Sequence, residues 1–276
     1  MSTHNNWFDH NLEDRLKDPL ATFEITIKPQ DIIIPDIKLA SLQTIQLLAE
    51  KNKKIFVGLS GGMDSEYVMK RFLEEGVDAT PIIISAPCNK LESLFAFNFC
   101  RENNLKPIVI EKKDIEIIEM FFEEILRKIN GKGVESVQAL IAGRYAEDHN
   151  GIFVKSDHLL GDDDDWREPI TFIGSNEWDF YNDVLIHRDN TFSFFLHTPE
   201  LIGSLVKNIS SDCNAQEYKH KMFGVPLRPK IKNEHTPEMK NLIYQMVRNR
   251  KFANHSSNFS SFDEFLNKLG TQHPNN

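Results

Sequence analysis

The sequence predicts an α/β protein: a parallel sheet with helices on both faces, followed by a helical C-terminal extension. Three observations carry this. Short apolar runs suited to buried strands alternate with longer segments at helical spacing. One such run, Pro81-Ile82-Ile83-Ile84-Ser85, is apolar on both of its faces, as a strand covered on two sides must be. Between the first run and its helix lies a turn of small residues, Ser60-Gly61-Gly62-Met63-Asp64-Ser65. Strands that alternate with helices pair in parallel through right-handed crossovers.

Residues 1–20 are polar and mixed in charge, which predicts a loose arm with one short helix. Between 22 and 35 apolar residues alternate imperfectly: Phe23, Ile25 and Ile27, then Ile32, Ile33 and Ile34, with Pro29 and Asp31 between the runs. That pattern predicts a small hairpin or edge ribbon, expected to cover an edge of the sheet. Residues 1–36 therefore form an N-terminal arm and ribbon.

The core spans 37–165. A helix over 37–50 presents Leu39, Leu42, Ile45, Leu47 and Leu48, and the apolar run 55–57 is the first strand of the sheet. After the turn, Tyr67, Val68, Arg71, Phe72 and Glu75 fall at helical spacing, with Gly76 as the stop. A strand over 79–86 follows, then a helix over 90–103 with Leu91, Leu94, Phe95, Phe97 and Phe99 inward. A third strand is expected at 107–110 and a fourth at 152–155. Between them lie helices at 114–129 and 134–149, separated by Asn130-Gly131-Lys132-Gly133.

Residues 166–276 form an extension that completes the core and the substrate pocket. Strands are expected at 170–174 and 191–197, with an aromatic patch of Trp178, Phe180 and Tyr181 between them read as packing under a loop. Thr198-Pro199-Glu200 starts a helix: Thr at the N-cap, Pro at the first position, Glu in the first turn. A last helix spans 236–252, and Phe259, Phe262, Phe265 and Leu266 make a short packing stripe.

Composition narrows the function classes. The 276 residues suffice for one large α/β domain, or a domain with an appendage. A net charge of −9 argues against a large nucleic-acid footprint, because neutralising phosphates needs Lys and Arg. Cys88, Cys100 and Cys213 form no C-x-x-C pair and leave one over, which predicts a reduced, cytoplasmic protein. The start, Met-Ser-Thr-His-Asn-Asn-Trp, shows no basic-then-apolar signal. No apolar run approaches the roughly 18 residues of a membrane span.

Strand, glycine turn, helix is a layout that presents backbone N–H groups and a helix N-terminus to an anion. Two adjacent glycines let the backbone approach phosphate oxygens, and Ser60 and Ser65 add hydroxyls. The turn lacks the Lys of the G-x-x-x-x-G-K-[ST] loop; its charged residue is an acid, Asp64. An acid beside phosphates needs a cation between them, and Mg²⁺ is the usual one. The residues themselves thus predict a site for ATP and Mg²⁺.

Ser60-Gly61-Gly62-Met63-Asp64-Ser65 resembles the S-G-G-x-D-S signature of the N-type ATP pyrophosphatases, the PP-loop enzymes. These include the synthetase domains of asparagine synthetase, GMP synthetase, NAD synthetase and β-lactam synthetase, and several tRNA-modifying enzymes. The resemblance implies an adenine nucleotide α-hydrolase-like, Rossmann-like fold and cleavage of ATP between the α and β phosphates. AMP is transferred to a substrate oxygen and then displaced by an amine or sulfur nucleophile. It implies nucleotide contacts from Leu59, Ser60, Gly61, Gly62, Met63, Asp64 and Ser65, with Ser85 at the next strand end.

A second motif is expected after the fourth strand. Asparagine synthetase has S-G-x-G-x-D-E there, and the tRNA lysidine enzymes have T-G-H-x-x-D-D. Ser156-Asp157-His158-Leu159-Leu160-Gly161-Asp162-Asp163 resembles both and matches neither. Asp162 or Asp163 is the expected partner of Asp64 on the metal, with Asp157 in reserve. His158 is read as a packed or hydrogen-bonded residue rather than a base.

Further on, the order of features resembles the tail of the asparagine synthetase domain. A helix at 199–207 is followed by Tyr218-Lys219-His220-Lys221 and by Arg228-Pro229-Lys230, without that family's K-[YF]-x-x-R spacing. Lys219, Lys221, Arg228 and Lys230 are candidates to touch phosphates; Lys221, Arg228 and Lys230 are the expected catalytic cations.

The expectation is an ATP-dependent, AMP- and pyrophosphate-forming ligase that adenylates a carboxylate or carbonyl oxygen of a small molecule. The nitrogen comes from free ammonia, a substrate amine or a separate glutaminase, since the start carries no N-terminal Cys nucleophile. A homodimer is one expected assembly. Sulfur transfer to a nucleobase is the second reading, set back by isolated cysteines. A non-catalytic module that binds adenine nucleotide is the third.

Overall fold

Ile55, Phe56 and Val57 bury their side chains on alternate faces of one strand, and the molecule is layered accordingly. The computed structural model describes residues 8–11, 24–27, 34–126, 136–156, 171–173, 190–207, 215–228 and 264.

In chain order, β1 is Phe8–His10 and β2 is Glu24–Ile27. Helix α1 (Ile37–Ala49) starts at Asp36, whose carboxylate accepts from the Lys38 N–H. Then come β3 (Lys54–Gly58), α2 (Met63–Glu74) and β4 (Thr80–Ser85). A short turn at Pro87–Asn89 leads into α3 (Lys90–Glu102), and β5 is Ile108–Glu111. Helix α4 (Asp114–Met120) continues into one π-helical turn, Phe121–Leu126. Helix α5 (Ser136–Asp148), β6 (Gly151–Lys155), β7 (Thr171–Ile173) and β8 (Thr191–Ser193) follow. Helices α6 (Pro199–Lys207) and α7 (Ala215–Phe223) complete the described elements.

The main sheet has the order β5-β4-β3-β6-β8, and every pair in it is parallel. On one face Ile55, Val57, Ile83, Ile152 and Val154 meet residues of α1, α2, α3, α6 and α7. On the other, Phe56, Ile82, Ile84 and Phe153 meet α4, its π turn and α5. The chain is therefore α/β, with helices on both faces, as the sequence predicts. From β3 the chain runs outward through β4 to β5, then returns to place β6 on the other side of β3. That reversal is a switch point between β3 and β6, and ligands of open α/β sheets bind in the crevice beyond the C-terminal strand ends at such a point.

Several expectations are corrected. Of the arm, the structure describes β1 and Asn11, and the short helix expected there lies outside the described residues; β1-β2-β7 form a separate antiparallel sheet. The ribbon thus pairs with the C-terminal third; residues 28–33 of the expected hairpin lie outside the described residues. In α1 the buried set is Ile37, Ala40, Ser41, Thr44, Ile45 and Leu48, while Leu39 and Leu47 are exposed. The true stripe uses small polar residues at the i, i+3, i+4 positions, which an apolar count passes over. In α3, Leu91 and Leu94 are exposed, and Ser93, Ala96, Phe99 and Cys100 face inward. The strand expected at 191–197 stops at Ser193. The expected helix at 114–129 is α4 and its π turn, and the helix at 134–149 is α5. The breaker at 130–133, the aromatic patch of Trp178, Phe180 and Tyr181, the helix at 236–252 and the stripe at 259–266, apart from Glu264, lie outside the described residues.

Candidate functional site

Leu59 extends the sheet by one bond, its N–H donating to the Ile82 carbonyl at 2.9 Å, and its side chain is buried. The backbone then turns into α2. Gly61 takes φ +89°, a left-handed conformation that L side chains rarely adopt. Gly62 is the N-cap of α2 and supplies no side chain to cap it. The turn is tied by its own hydroxyls: the Ser65 hydroxyl donates to the Gly62 carbonyl at 2.9 Å, and the Gly62 N–H donates to Ser60 Oγ at 3.3 Å. Ser60 and Gly62 are exposed, whereas Gly61, Met63 and Ser65 are buried. The open side of the turn is therefore backbone and the Ser60 hydroxyl, with the Met63 side chain in the core.

Asp64, in the first turn of α2, meets Lys219 of α7. The Lys219 ammonium donates to Asp64 Oδ2 at 2.9 Å, and the two side chains are only 7% and 16% exposed. Docking of α7 fixes this contact. Tyr67 stacks on Phe223 with ring centroids 4.3 Å apart, and Phe195 stacks on Phe223 at 5.6 Å. The Tyr218 hydroxyl donates to the Leu205 carbonyl, and Lys70 Nζ donates to the Gly224 carbonyl at 3.3 Å. The Tyr67 hydroxyl lies 2.8 Å from Ser41 Oγ, and burial pushes its pKa up to about 12.

Arg228 reaches the same helix. Its guanidinium pairs with the buried Glu66 and lies over the Phe95 ring, 4.5 Å from the centroid. Burial raises the Glu66 pKa above its ordinary value, and the Arg228 charge opposes that rise. Arg228, expected as a catalytic cation, is thus engaged as a tether between the tail and α2. Lys221, expected in the same role, is exposed. It follows Lys219 by two residues, about 200° round the helix, which turns it away from Asp64.

At the end of β4 the Ser85 carbonyl accepts the Lys112 N–H at 2.9 Å, and Ser85 is half-buried. Behind it, Asn89 Oδ1 accepts the Ala86 N–H at 2.8 Å and Nδ2 donates to the Ile84 carbonyl at 2.8 Å. The Cys88 N–H donates to Asp114 Oδ1 at 2.9 Å. Burial and the Asp114 carboxylate push the Cys88 thiol up to about 12. Asp157, His158, Asp162, Asp163, Cys213 and Lys230 lie outside the described residues.

Of two lysines near this edge, the sequence assigns no role to Lys155 and offers Lys219 only as one of four candidates to touch phosphates. Lys155, the last residue of β6, is buried at the crevice. Lys219 rather than Lys221 faces the turn. The available signal was its helical neighbourhood: Tyr218, Met222 and Phe223 sit at −1, +3 and +4 and form one apolar face around it.

The donor set suits a magnesium–triphosphate. Among the described residues no three His, Cys, Asp or Glu side chains gather closely enough to cage a metal. Mg²⁺ does not require such a cage; one or two carboxylates plus phosphate oxygens hold it. Asp64 supplies one carboxylate beside the exposed Ser60 hydroxyl and the exposed backbone of Gly62.

No protein-family model and no curated protein matches the chain. Among solved structures it is similar to an NMN synthetase from Francisella tularensis, at 16% identity and a TM-score of 0.37, covering 71% of this chain and 99% of that one. It is similar to an NH3-dependent NAD synthetase from Campylobacter jejuni subsp. jejuni NCTC 11168, in complex with the nitrate ion, at 16% identity and a TM-score of 0.33, covering 79% and 96%. A glutamine-dependent NAD+ synthetase from Acinetobacter baumannii, in complex with adenosine diphosphate, gives 8% identity and a TM-score of 0.39. There the match covers 91% of this chain and 49% of that one. At these TM-scores the likenesses carry no argument about activity. Among the described residues no helix is long and apolar enough to cross a membrane.

Proposed function

We propose that this chain is an ATP-dependent, AMP- and pyrophosphate-forming ligase of the PP-loop type. It would activate a carboxylate or carbonyl oxygen of a small molecule for attack by ammonia or an amine. The observation that carries this reading is the turn itself. An amide-lined bend with an exposed serine stands at the end of β3, beside the crevice, and is followed at once by an acid on the first turn of a helix.

In this reading the triphosphate lies along Ser60, Gly61 and Gly62, accepting from backbone N–H groups and the Ser60 hydroxyl. The α2 N-terminus adds its partial positive charge. Asp64, joined by Asp162 or Asp163, would hold Mg²⁺, which supplies charge neutralisation at the departing pyrophosphate. Lys219 and the buried Lys155 bring the fixed positive charge that a lysine-free turn lacks. Arg228 keeps the tail against α2, where the acceptor pocket would form. Sulfur transfer is disfavoured by Cys88, whose buried thiol is pushed up to about 12 and is therefore a poor nucleophile at neutral pH.

The test is product analysis. Incubated with ATP, Mg²⁺ and a panel of carboxylates with ammonia or amines, the protein should release pyrophosphate and AMP. Asp64→Asn should lower the rate by at least about 100-fold, the scale of losing one group that stabilises transition-state charge. ADP as the sole product, or full turnover by Asp64→Asn, would refute the proposal.

A further inference from the structure

We infer that Lys219 is a positioning residue that makes the Asp64 site selective for a metal–nucleotide complex over the free metal. This rests on the reading that Asp64 is a metal ligand. In the structure the acceptor oxygen Oδ2 of Asp64 carries an ammonium at 2.9 Å. That ammonium is not a surface lysine that happens to lie near. It sits on the buried face of α7, between Tyr218 and Phe223, and the stack of Phe223 on Tyr67 holds it there.

A divalent cation approaching alone meets a carboxylate whose charge is already balanced. To bind, it must displace the ammonium or sit beside it, and two cations sharing one carboxylate repel each other at short range. Mg²⁺ also gives up its water reluctantly and needs more than one anionic ligand. The triphosphate changes both terms. It brings oxygens for the metal, and it offers the Lys219 ammonium phosphate oxygens in exchange for Asp64. The metal and the nucleotide therefore bind as a coupled pair. By linkage each strengthens the other by the same factor. Replacing Lys219 with an uncharged side chain uncouples them.

The experiment is Mn²⁺ titration of the full chain followed by electron paramagnetic resonance, with and without α,β-methylene-ATP, which is not cleaved at the α–β position. The wild type should leave Mn²⁺ in solution when nucleotide is absent and bind it when the analogue is present. Lys219→Met should bind Mn²⁺ without nucleotide, at least about 10-fold more tightly than the wild type does, and Lys219→Arg should behave as the wild type. Adding Asp64→Asn to Lys219→Met should remove the nucleotide-independent binding. Equal Mn²⁺ affinity of wild type and Lys219→Met without nucleotide overturns the inference. So does tight Mn²⁺ binding by the wild type alone, a result that needs no variant to fold. If neither protein binds Mn²⁺ with the analogue, or Asp64→Asn binds it unchanged, the metal role of Asp64 is wrong and the inference falls with it.

Discussion

Gly61 presses so closely on Glu92 that a Cβ at position 61 would stand 2.1 Å from the Glu92 carbonyl oxygen. The first turn of α3 thus braces the back of the Ser60–Ser65 bend. The two glycines of the turn consequently differ. Gly61→Ala adds a left-handed penalty of about 1–2 kcal/mol to a backbone clash. Gly62 has φ −78°, and a Cβ there would meet only Ser60 Oγ at 3.4 Å. Gly61→Ala should lower the melting temperature by several degrees and abolish nucleotide binding. Gly62→Ala should melt within about 2 °C of the wild type, the shift of roughly half a kcal/mol, yet bind ATP more weakly. Thermal melts and isothermal titration with ATP would separate the two.

Phe223 anchors α7 through two ring stacks. Phe223→Ala should destabilise the fold by about 3–5 kcal/mol, the usual loss for a buried aromatic. It should also loosen Lys219, so nucleotide affinity should fall in protein that remains folded at low temperature. Chemical denaturation with a parallel binding curve would check both.

The Glu66–Arg228 pair gives a pH dependence whose sign follows from burial. The folded-state pKa of Glu66 lies above its unfolded value, chiefly because of desolvation. Its contribution to stability is therefore full below the unfolded pKa and is lost as pH rises through the folded pKa. Arg228 limits that loss. Arg228→Met should cost about 2 kcal/mol at neutral pH, less than a fully buried pair because Arg228 is partly exposed. The loss should shrink as the pH is lowered from 7 towards 5. Glu66→Gln in the same background should flatten the profile. Melting temperature against pH is the measurement, and a profile for Arg228→Met parallel to the wild type's would contradict it.

The parallel sheet and the bend after β3 were legible because each signal is local. Ile55 to Val57 is too short and too apolar for anything but a buried strand, and Ser60 to Ser65 can bend only as small residues allow. The phase of α1 was not legible, since Ser41 and Thr44 occupy core positions through hydrogen bonds. Ser41 meets the Tyr67 hydroxyl, and Thr44 meets the hydroxyl of Thr198 at 3.1 Å. The N-cap at Thr198 was legible for the opposite reason, being a local device: its Oγ1 accepts the Leu201 N–H at 3.2 Å. The choice between Lys219 and Lys221 depended on which side of α7 meets α2, a tertiary contact that spacing alone does not state. The pairing of β2 with β7 is likewise a meeting of distant segments.

Cys88 offers a chemical check on the nucleophile. With its pKa pushed up to about 12, almost none of it is thiolate at pH 8. Its alkylation by iodoacetamide should be much slower in native protein than in urea. Asp114→Asn, which removes a carboxylate that raises the thiol's pKa, should speed it. Peptide mass spectrometry would resolve Cys88 from Cys100, whose thiol is pushed up to about 11 by burial alone.

The partners Asp64 and Lys219 are 155 residues apart in the chain. A ribosome adding about 5–20 residues per second therefore makes the acid roughly 8–30 s before the base. Over that interval the nascent strand–turn–helix unit exists without α7, and its aspartate lacks the Lys219 ammonium. A cell that translates this message slowly lengthens the period in which the turn is made and its lysine counter-charge is not.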